Sequence, residues 1–364
     1  MKARRPYALA ILAMLCVVQV ASALPRFANR TASKCQSCHV NPSGGGMRNP
    51  FGVQYGRDEL PVPTWAGEYA LDDFSTQLTE FVAIGADFRT LFFYQQTSGP
   101  STNAFFQMQG DVYLNFRIAK KVSMYLDKGL YSGFEIFGLL NILPGSGHIK
   151  AGRFVPNYGI KMDEHRAFVR EQTGFSPEAG QPFYTGGEIG FSPGPVSITG
   201  GIYNAVSSPG VTTDKNKAFL GRVEAIFKAG SDAGVGIGGN AFYKDVAGTK
   251  TTLLGGFGSF GYADFTLLGE ADLIKTKTAV ATVDGLALFA EANYVLTPGF
   301  DVKLMYDFFD RDIDLKTGSM SRYSVGFEFF PISGVEVRPL YRILKEEPTE
   351  VNNNEFHLLI HFYL

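Results

Sequence analysis

The stretch AFFQMQGDVYLNFRIAK, Ala104 to Lys120, changes polarity at almost every step. Phe106, Met108, Gly110, Val112, Leu114, Phe116 and Ile118 fall on one face, and Gln107, Gln109, Asp111, Tyr113, Asn115 and Arg117 on the other. A period of two belongs to an extended strand. A strand this long with one apolar and one polar face is suited to hydrocarbon outside and water inside. The end of the chain repeats the pattern: Phe356, Leu358, Ile360, Phe362 and Leu364 alternate with Glu355, His357, Leu359, His361 and Tyr363.

Working outward, the same theme of alternation followed by a turn predicts strands near 76–95, 104–118, 121–130, 132–142, 148–155, 184–192, 195–206, 217–229, 232–243, 250–261, 262–275, 284–297, 299–311, 319–331, 334–346 and 354–364. These make an all-β fold, a 16-stranded antiparallel transmembrane β-barrel, whose even count leaves both ends on one side of the membrane. The connections agree. Short turns such as LPGSG (143–147), SPGP (192–195) and TPG (297–299) alternate with longer polar loops at 96–103, 156–183, 207–216, 244–249, 276–283, 312–318 and 347–353. The 130–132 connection is too short for its place in the series. A water-soluble sandwich is the competing fold, but nearly 290 residues would be large for one, and neither the loop alternation nor the apolar last strand follows from it.

Composition narrows the class. Glycine is abundant (42 residues), aromatics are 14%, and no stretch after the N-terminus approaches the roughly 20 apolar residues of a membrane helix. Lys2, Arg4 and Arg5, an apolar run from Tyr7 to Val20 and the small-residue site Ala21-Ser22-Ala23 predict a signal peptide over 1–23, cleaved near Ala23. A lipoprotein anchor at Cys16 is the alternative. It is disfavoured because Ala13-Met14-Leu15 is a poor match and the apolar run continues past the cysteine. Without the leader, 30 of the 33 Lys and Arg remain against 35 Asp and Glu, which excludes nucleic acid as an expected partner.

The second informative stretch is TASKCQSCHVNPSGGGM, Thr31 to Met47. Cys35, Cys38 and His39 form C-x-x-C-H, in which two thiols bond the haem vinyl groups and the histidine supplies an axial nitrogen. A disulfide is permitted in an exported chain, but the tight two-residue gap and the adjacent His39 favour haem. A zinc site lacks further ligands nearby. Residues 24–70 are thus read as a c-type haem-binding plug segment and 71–364 as the barrel. About 40 residues rich in Gly and Pro cannot wrap a haem alone, so the segment is expected in, or at the periplasmic mouth of, the barrel lumen.

The distal iron ligand is open at this point. Met47 is one candidate, with space-filling as its plainer role. His148, His165, His357 and His361 are the others. Lys34, Arg48 and Arg57 are candidate propionate partners. The long loop Pro156 to Tyr184 carries Asp163 and Glu164, a candidate approach site for a hard cation, within a charge cluster that either folds inward as a constriction or meets solvent.

The residues LPRFANRTASKCQSCH (24–39), followed by an aromatic-rich barrel, resemble the fused monohaem cytochrome–porin family of bacterial outer membranes. LLNILPGSGHIKAGRFVPNYGIKMDEHRAFVRE (139–171) resembles phosphate-selective porin-like barrels, and the last strand resembles an outer-membrane insertion signal with Leu in place of the usual Phe. The first resemblance implies one covalent haem c, a periplasmic carrier such as a c-type cytochrome, and extracellular Fe(II) as electron donor to an iron-oxidising cytochrome. The leading expectation is therefore one-haem electron transfer across the outer membrane. A second is a diffusion porin in which the haem segment gates, senses or assists assembly, with Asp301, Lys303, Asp307, Glu336, Arg338 and Arg342 setting selectivity. A haem peroxidase is disfavoured, since no distal histidine and arginine stand at recognisable spacing.

Overall fold

The computed structural model describes residues 27–29, 33–65, 75–130, 133–176, 182–208, 210–212, 215–230 and 233–364. The expected signal peptide over 1–23, Cys16 and the expected boundary at 70/71 lie outside the described residues. Among the described residues are sixteen strands: β1 (Val82–Gln95), β2 (Thr102–Ala119), β3 (Val122–Gly129), β4 (Phe134–Leu143), β5 (Gly147–Phe154), β6 (Tyr184–Phe191), β7 (Val196–Asn204), β8 (Lys217–Ala229), β9 (Ala233–Val246), β10 (Thr249–Tyr262), β11 (Phe265–Lys277), β12 (Thr282–Thr297), β13 (Phe300–Asp310), β14 (Met320–Phe329), β15 (Val335–Glu346) and β16 (Glu355–Tyr363). Each pairs antiparallel with its sequence neighbours, and β1 closes on β16 from Asp87↔Tyr363 to Gln95↔Glu355.

Closure satisfies every strand edge, which a sheet needs if it is to stand in hydrocarbon. The outward face is apolar: Ile84, Val112, Ile198, Val223, Leu304, Val325, Ile360 and Phe362 are all exposed. Exposed Tyr262, Phe265 and Tyr294 stand near the short-turn rim, where interfacial aromatics belong. A closed barrel with an apolar outer belt is suited to a lipid bilayer, with short turns at one rim and longer loops at the other.

Two sequence expectations need correction. The alternation predicted for 104–118 does not run unbroken, because β2 carries a bulge at Met108: Arg89 pairs with Gln109, but Thr90 pairs with Gln107. One extra residue exchanges the two faces. Above the bulge Phe106 lies opposite the buried Leu91, while Phe105 is 75% exposed and packs against outward Phe92, ring centroids 4.8 Å apart. Phe106, expected on lipid, is on the inner face.

The loop expected at 244–249 is mostly strand, and the one expected at 276–283 shortens to 278–281. Ala247 and Gly248 form a two-residue turn with φ of 51° and 85°, a left-handed pair whose twist suits a tight hairpin. The connection 130–133 stays short on the long-loop side, as the anomaly in the sequence suggested.

Candidate functional site: a plug and a lid inside the lumen

Residues 33–65 fold into the turn-side mouth. Cys35–Ser37 make one 3₁₀ turn, and the amides of Cys38 and His39 both donate to Cys35 O, at 3.2 and 3.0 Å. The chain then doubles back: Val40 N donates to Met47 O (3.0 Å) and Asn49 N to Cys38 O (2.8 Å), with His39 opposite Arg48. Three successive left-handed residues, Gly44, Gly45 and Gly46, form the tip of this hairpin. Helix α1 (Pro50–Asp58) follows, capped by Asn49 Oδ1 accepting from Gly52 N at 3.0 Å, with Pro50 where a missing N–H costs nothing.

The barrel wall holds this segment all round. Lys34 Nζ donates to the carbonyls of Ser192 and Val196, both at 2.9 Å. Tyr125 Oη accepts from Met47 N at 3.1 Å, Ser333 Oγ donates to Arg57 O at 2.9 Å, and Val62 N donates to Phe330 O at 3.0 Å. The tip fits because Gly46 has no side chain: a Cβ there would stand 2.2 Å from Tyr125 Oη, on backbone with φ +60°. Gly46→Ala is expected to loosen the plug by about 1–3 kcal/mol, read as faster proteolysis of the N-terminal segment in the folded barrel.

Deeper in, Lys150 Nζ meets Glu188 at 2.8 Å and donates to Ser43 Oγ at 2.9 Å, with both ionic side chains fully buried. Lys150→Met leaves the Glu188 carboxylate buried without its cation, and a loss of about 3–5 kcal/mol is expected, measured by urea unfolding of the reconstituted protein.

The turn brings Cys35, Cys38 and His39 together, with no disulfide between the two thiols. His39 is buried, and its Nδ1 has no partner. Burial and then the Arg48 charge push its pKa down to about 4, so the imidazole is neutral, the form that binds metal. It lines a chamber of about 700 Å³ at the turn-side mouth, walled also by Asn115, Arg117, Lys121, Leu139 and Asn141. The tight turn and the neutral imidazole at the chamber suit a c-type haem, but neither Cys35 nor Cys38 lines that chamber. The Cys35 thiol instead lies in small cavities beside Arg222 and Glu224, and burial, with Glu224, raises its pKa to about 11. Met47 is fully buried, packed with Ala83, Tyr113 and Tyr125, and does not line the chamber.

Of the candidate propionate partners, Lys34 is bound to the wall as above, Arg48 lies 4.5 Å over the Tyr363 ring and 3.9 Å from Asp87, and Arg57 pairs with Asp58 at 2.6 Å. His357 and His361 do face inward, yet both are engaged by carboxylates. His357 Nε2 is 2.9 Å from Glu355, and His361 lies between Glu336 (Nδ1, 2.9 Å) and Asp87 (Nε2, 2.7 Å). His165, on the long loop that forms a lid, lies 3.3 Å from Arg89 of β1.

The long loop is that lid, and it folds inward. Asn157 N donates to Glu188, Gly159 N to Asn240 Oδ1 (2.7 Å), Ile160 N to Glu270 (2.9 Å) and Phe168 N to Asp307 (2.9 Å); Arg170 pairs with Glu270. Asp163 meets Arg338 at 2.6 Å, and Glu164 meets Arg342 at 2.7 Å. The expectation of a cation-approach site at Asp163 and Glu164 is corrected: arginines already occupy both. Where Asp163 gathers with Glu328 and Glu336, Lys303 and Arg338 sit among them. Asp301, Lys303, Asp307, Glu336, Arg338 and Arg342 are all buried on the inner face, as expected. Asp307, Lys303, Arg338 and Arg342, however, all bind the lid, and Lys303 and Arg338 share the wall carboxylate of Glu328.

Burial alone would raise the Glu164 carboxyl, but Arg342, Arg338 and Arg322 outweigh it and hold it well below the ordinary 4.5. A depressed carboxyl stabilises above its unfolded pKa, and that contribution is lost as pH falls through the folded value. The difference in hydrogen exchange of residues 163–171 between wild type and Glu164→Gln, which isolates this carboxyl, is therefore expected to stay constant from about pH 7 to about pH 5.

Wall residues that the sequence did not single out, Asp87, Glu188, Asn240, Glu270 and Arg322, turn out to hold plug and lid. Their only signal was inward parity on a strand. Between lid and plug tip lies a second chamber, also about 700 Å³, lined by Asp111, Tyr113, Asp127, Glu135, Lys161 and Phe175.

Comparison with known proteins adds the fold alone. No family model and no curated protein matches the chain. Similar solved structures include an anion-selective porin from Comamonas acidovorans, with 12% identity and a TM-score of 0.58 over 78% of this chain and 99% of that one. In-vitro folded OmpT of Vibrio cholerae matches at 11%, with a TM-score of 0.55 over 78% and 99%. This chain is a porin-like outer-membrane barrel with a plug and a lid in its lumen.

Proposed function

We propose that the protein is an outer-membrane electron conduit. The plug carries one covalent c-type haem on Cys35, Cys38 and His39, and single electrons pass between a partner reaching the lid side and a periplasmic carrier such as a c-type cytochrome. Extracellular Fe(II) is the donor suggested by the resemblance of residues 24–39 to cytochrome–porins. The observation that carries the reading is the position of the Cys35-Cys38-His39 turn: inside the lumen, with a neutral imidazole at a 700 Å³ chamber on the periplasmic side. When bound, the haem supplies one-electron Fe(III)/Fe(II) chemistry. The chain's own residues do the rest. His39 presents a neutral nitrogen, the wall contacts of Lys34, Met47 and Val62 hold the plug still, and Arg117, Lys120 and Lys121 line the same mouth with positive charge that favours an acidic docking face.

The second reading is a diffusion porin whose haem segment gates, senses or assists assembly. The likeness to the Comamonas porin and the ionic inner wall favour it. An anaerobic optical titration separates the readings. Fe(II) added to the oxidised protein in detergent is expected to develop the reduced haem alpha band. Covalent haem that dithionite reduces and Fe(II) does not would remove Fe(II) as donor, and a purified barrel without covalent haem would leave the porin.

A further inference from the structure

We propose that plug and lid are one coupled gate, in which displacing either segment loosens the other through wall side chains that hold both. The inference goes beyond the conduit and porin readings and depends on neither. The first shared post is Glu188 of β6. One of its carboxylate oxygens accepts from Asn157 N of the lid at 3.0 Å and from Tyr203 Oη; the other meets Lys150 Nζ at 2.8 Å and accepts from Ser43 Oγ of the plug at 3.5 Å. Lys150 Nζ donates in turn to Ser43 Oγ at 2.9 Å, and all three side chains are buried. With the plug seated, the charged hydrogen bonds of this cluster act in a low-dielectric setting that strengthens them. With the plug gone, water reaches Glu188 and competes for it, so its bond to the lid amide weakens.

The second post is a relay of buried wall residues on β1, β16 and β15. Arg48 of the plug lies 3.9 Å from Asp87, Asp87 meets His361 Nε2 at 2.7 Å, His361 Nδ1 meets Glu336 at 2.9 Å, Glu336 lies 3.5 Å from Arg338 Nε, and Arg338 meets Asp163 of the lid at 2.6 Å. Arg48 also covers the Tyr363 ring, which packs beside His361. Losing Arg48 takes a cation from the Asp87 end of this relay and opens it to water, and every later link up to the Asp163 pair shares that cost. Plug and lid also touch directly, where a Cβ on Gly44 would stand 3.6 Å from Lys161 Cγ, but that is an ordinary van der Waals contact whose loss strands no charge. The coupling therefore belongs to the two posts. Linkage makes it reciprocal: the factor by which an absent plug loosens the lid is the factor by which a released lid loosens the plug.

The test uses the full-length protein in detergent micelles. Gly46→Trp, whose side chain has no room beside Tyr125 Oη, is expected to expel the plug. Expulsion is read as rapid tryptic cleavage after Lys34, Arg48 or Arg57, with heat-modifiable gel mobility reporting an intact barrel. Hydrogen exchange over residues 157–168 is then expected to quicken by about tenfold, within the range usual for coupled sites. Ser43→Ala with Arg48→Gln parts the plug from both posts and leaves the wall charges in place. In that background Gly46→Trp is expected to change lid exchange by about twofold or less, since the coupling factor falls towards one. Where Gly46→Trp stays seated or fails to fold, the reverse experiment decides: Asp163→Asn with Glu164→Gln releases the lid, and tryptic cleavage of the plug is expected to quicken by a similar factor. An expelled plug with unchanged lid exchange, or a released lid with unchanged plug cleavage, would overturn the proposal. So would a lid response that persists in full in the Ser43→Ala and Arg48→Gln background, because it would then run through the Gly44 and Lys161 contact.

Discussion

Replacing Cys35 and Cys38 together with alanine is expected to remove all covalently bound haem while leaving a folded barrel. The stability of the wall comes from sixteen paired strands and an apolar belt in which neither cysteine takes part. Denaturing gels stained for haem, with heat-modifiable mobility as the folding control, measure the two halves of this expectation. In liposomes loaded with an oxidised c-type cytochrome, electron transfer from an external donor should fall to the lipid-only rate. Transfer that continues unchanged without covalent haem would sink the conduit mechanism. Single replacements are the weaker experiment, because one thioether can retain the haem.

The second large effect concerns ions. The lumen is obstructed twice, by the plug at the turn-side mouth and by the lid above it, so the full chain in a planar bilayer is expected to pass almost no current. A chain lacking residues 33–65 should conduct modestly, limited by the lid. Adding Asp163→Asn and Glu164→Gln should then raise the current by about tenfold or more. Glu164 is buried against Arg342, and leaving such a charge unpaired costs several kcal/mol; Asp163 is partly exposed and counts for less. At 1.4 kcal/mol per tenfold change, even a discounted loss is enough to shift the lid equilibrium. A full-length chain with large, steady conductance would instead favour the diffusion-porin reading.

Much of the wall was legible in advance, because a period of two over ten or more residues has few other physical explanations. The inward set on the last strand, Glu355, His357, Leu359, His361 and Tyr363, came out as expected. The bulge at Met108 did not. A single unpaired residue leaves the local composition unchanged, and only pairing with β1 reveals that Phe105 and Phe106 exchange faces. The hairpin at Ala247–Gly248 was missed for a related reason: polar residues 244–249 resemble a loop until strand pairing carries them past the membrane edge.

For the site, the sequence by itself determined the chemistry on offer: two thiols and an imidazole in one turn, five histidines in all, and a long charged loop. Covalent spacing within a few residues fixes such motifs whatever the rest of the chain does. Only the tertiary structure decided which groups were already taken. It assigned His361, Asp163 and Glu164 to partners 100 or more residues away or across a strand and His357 to Glu355 two residues back on its own strand, set Met47 among tyrosines, and left His39 and His148 with unpartnered nitrogens. Closing the sheet brings distant residues to one inner surface, and a buried polar group there is defined by the neighbour that satisfies it, which no local pattern encodes.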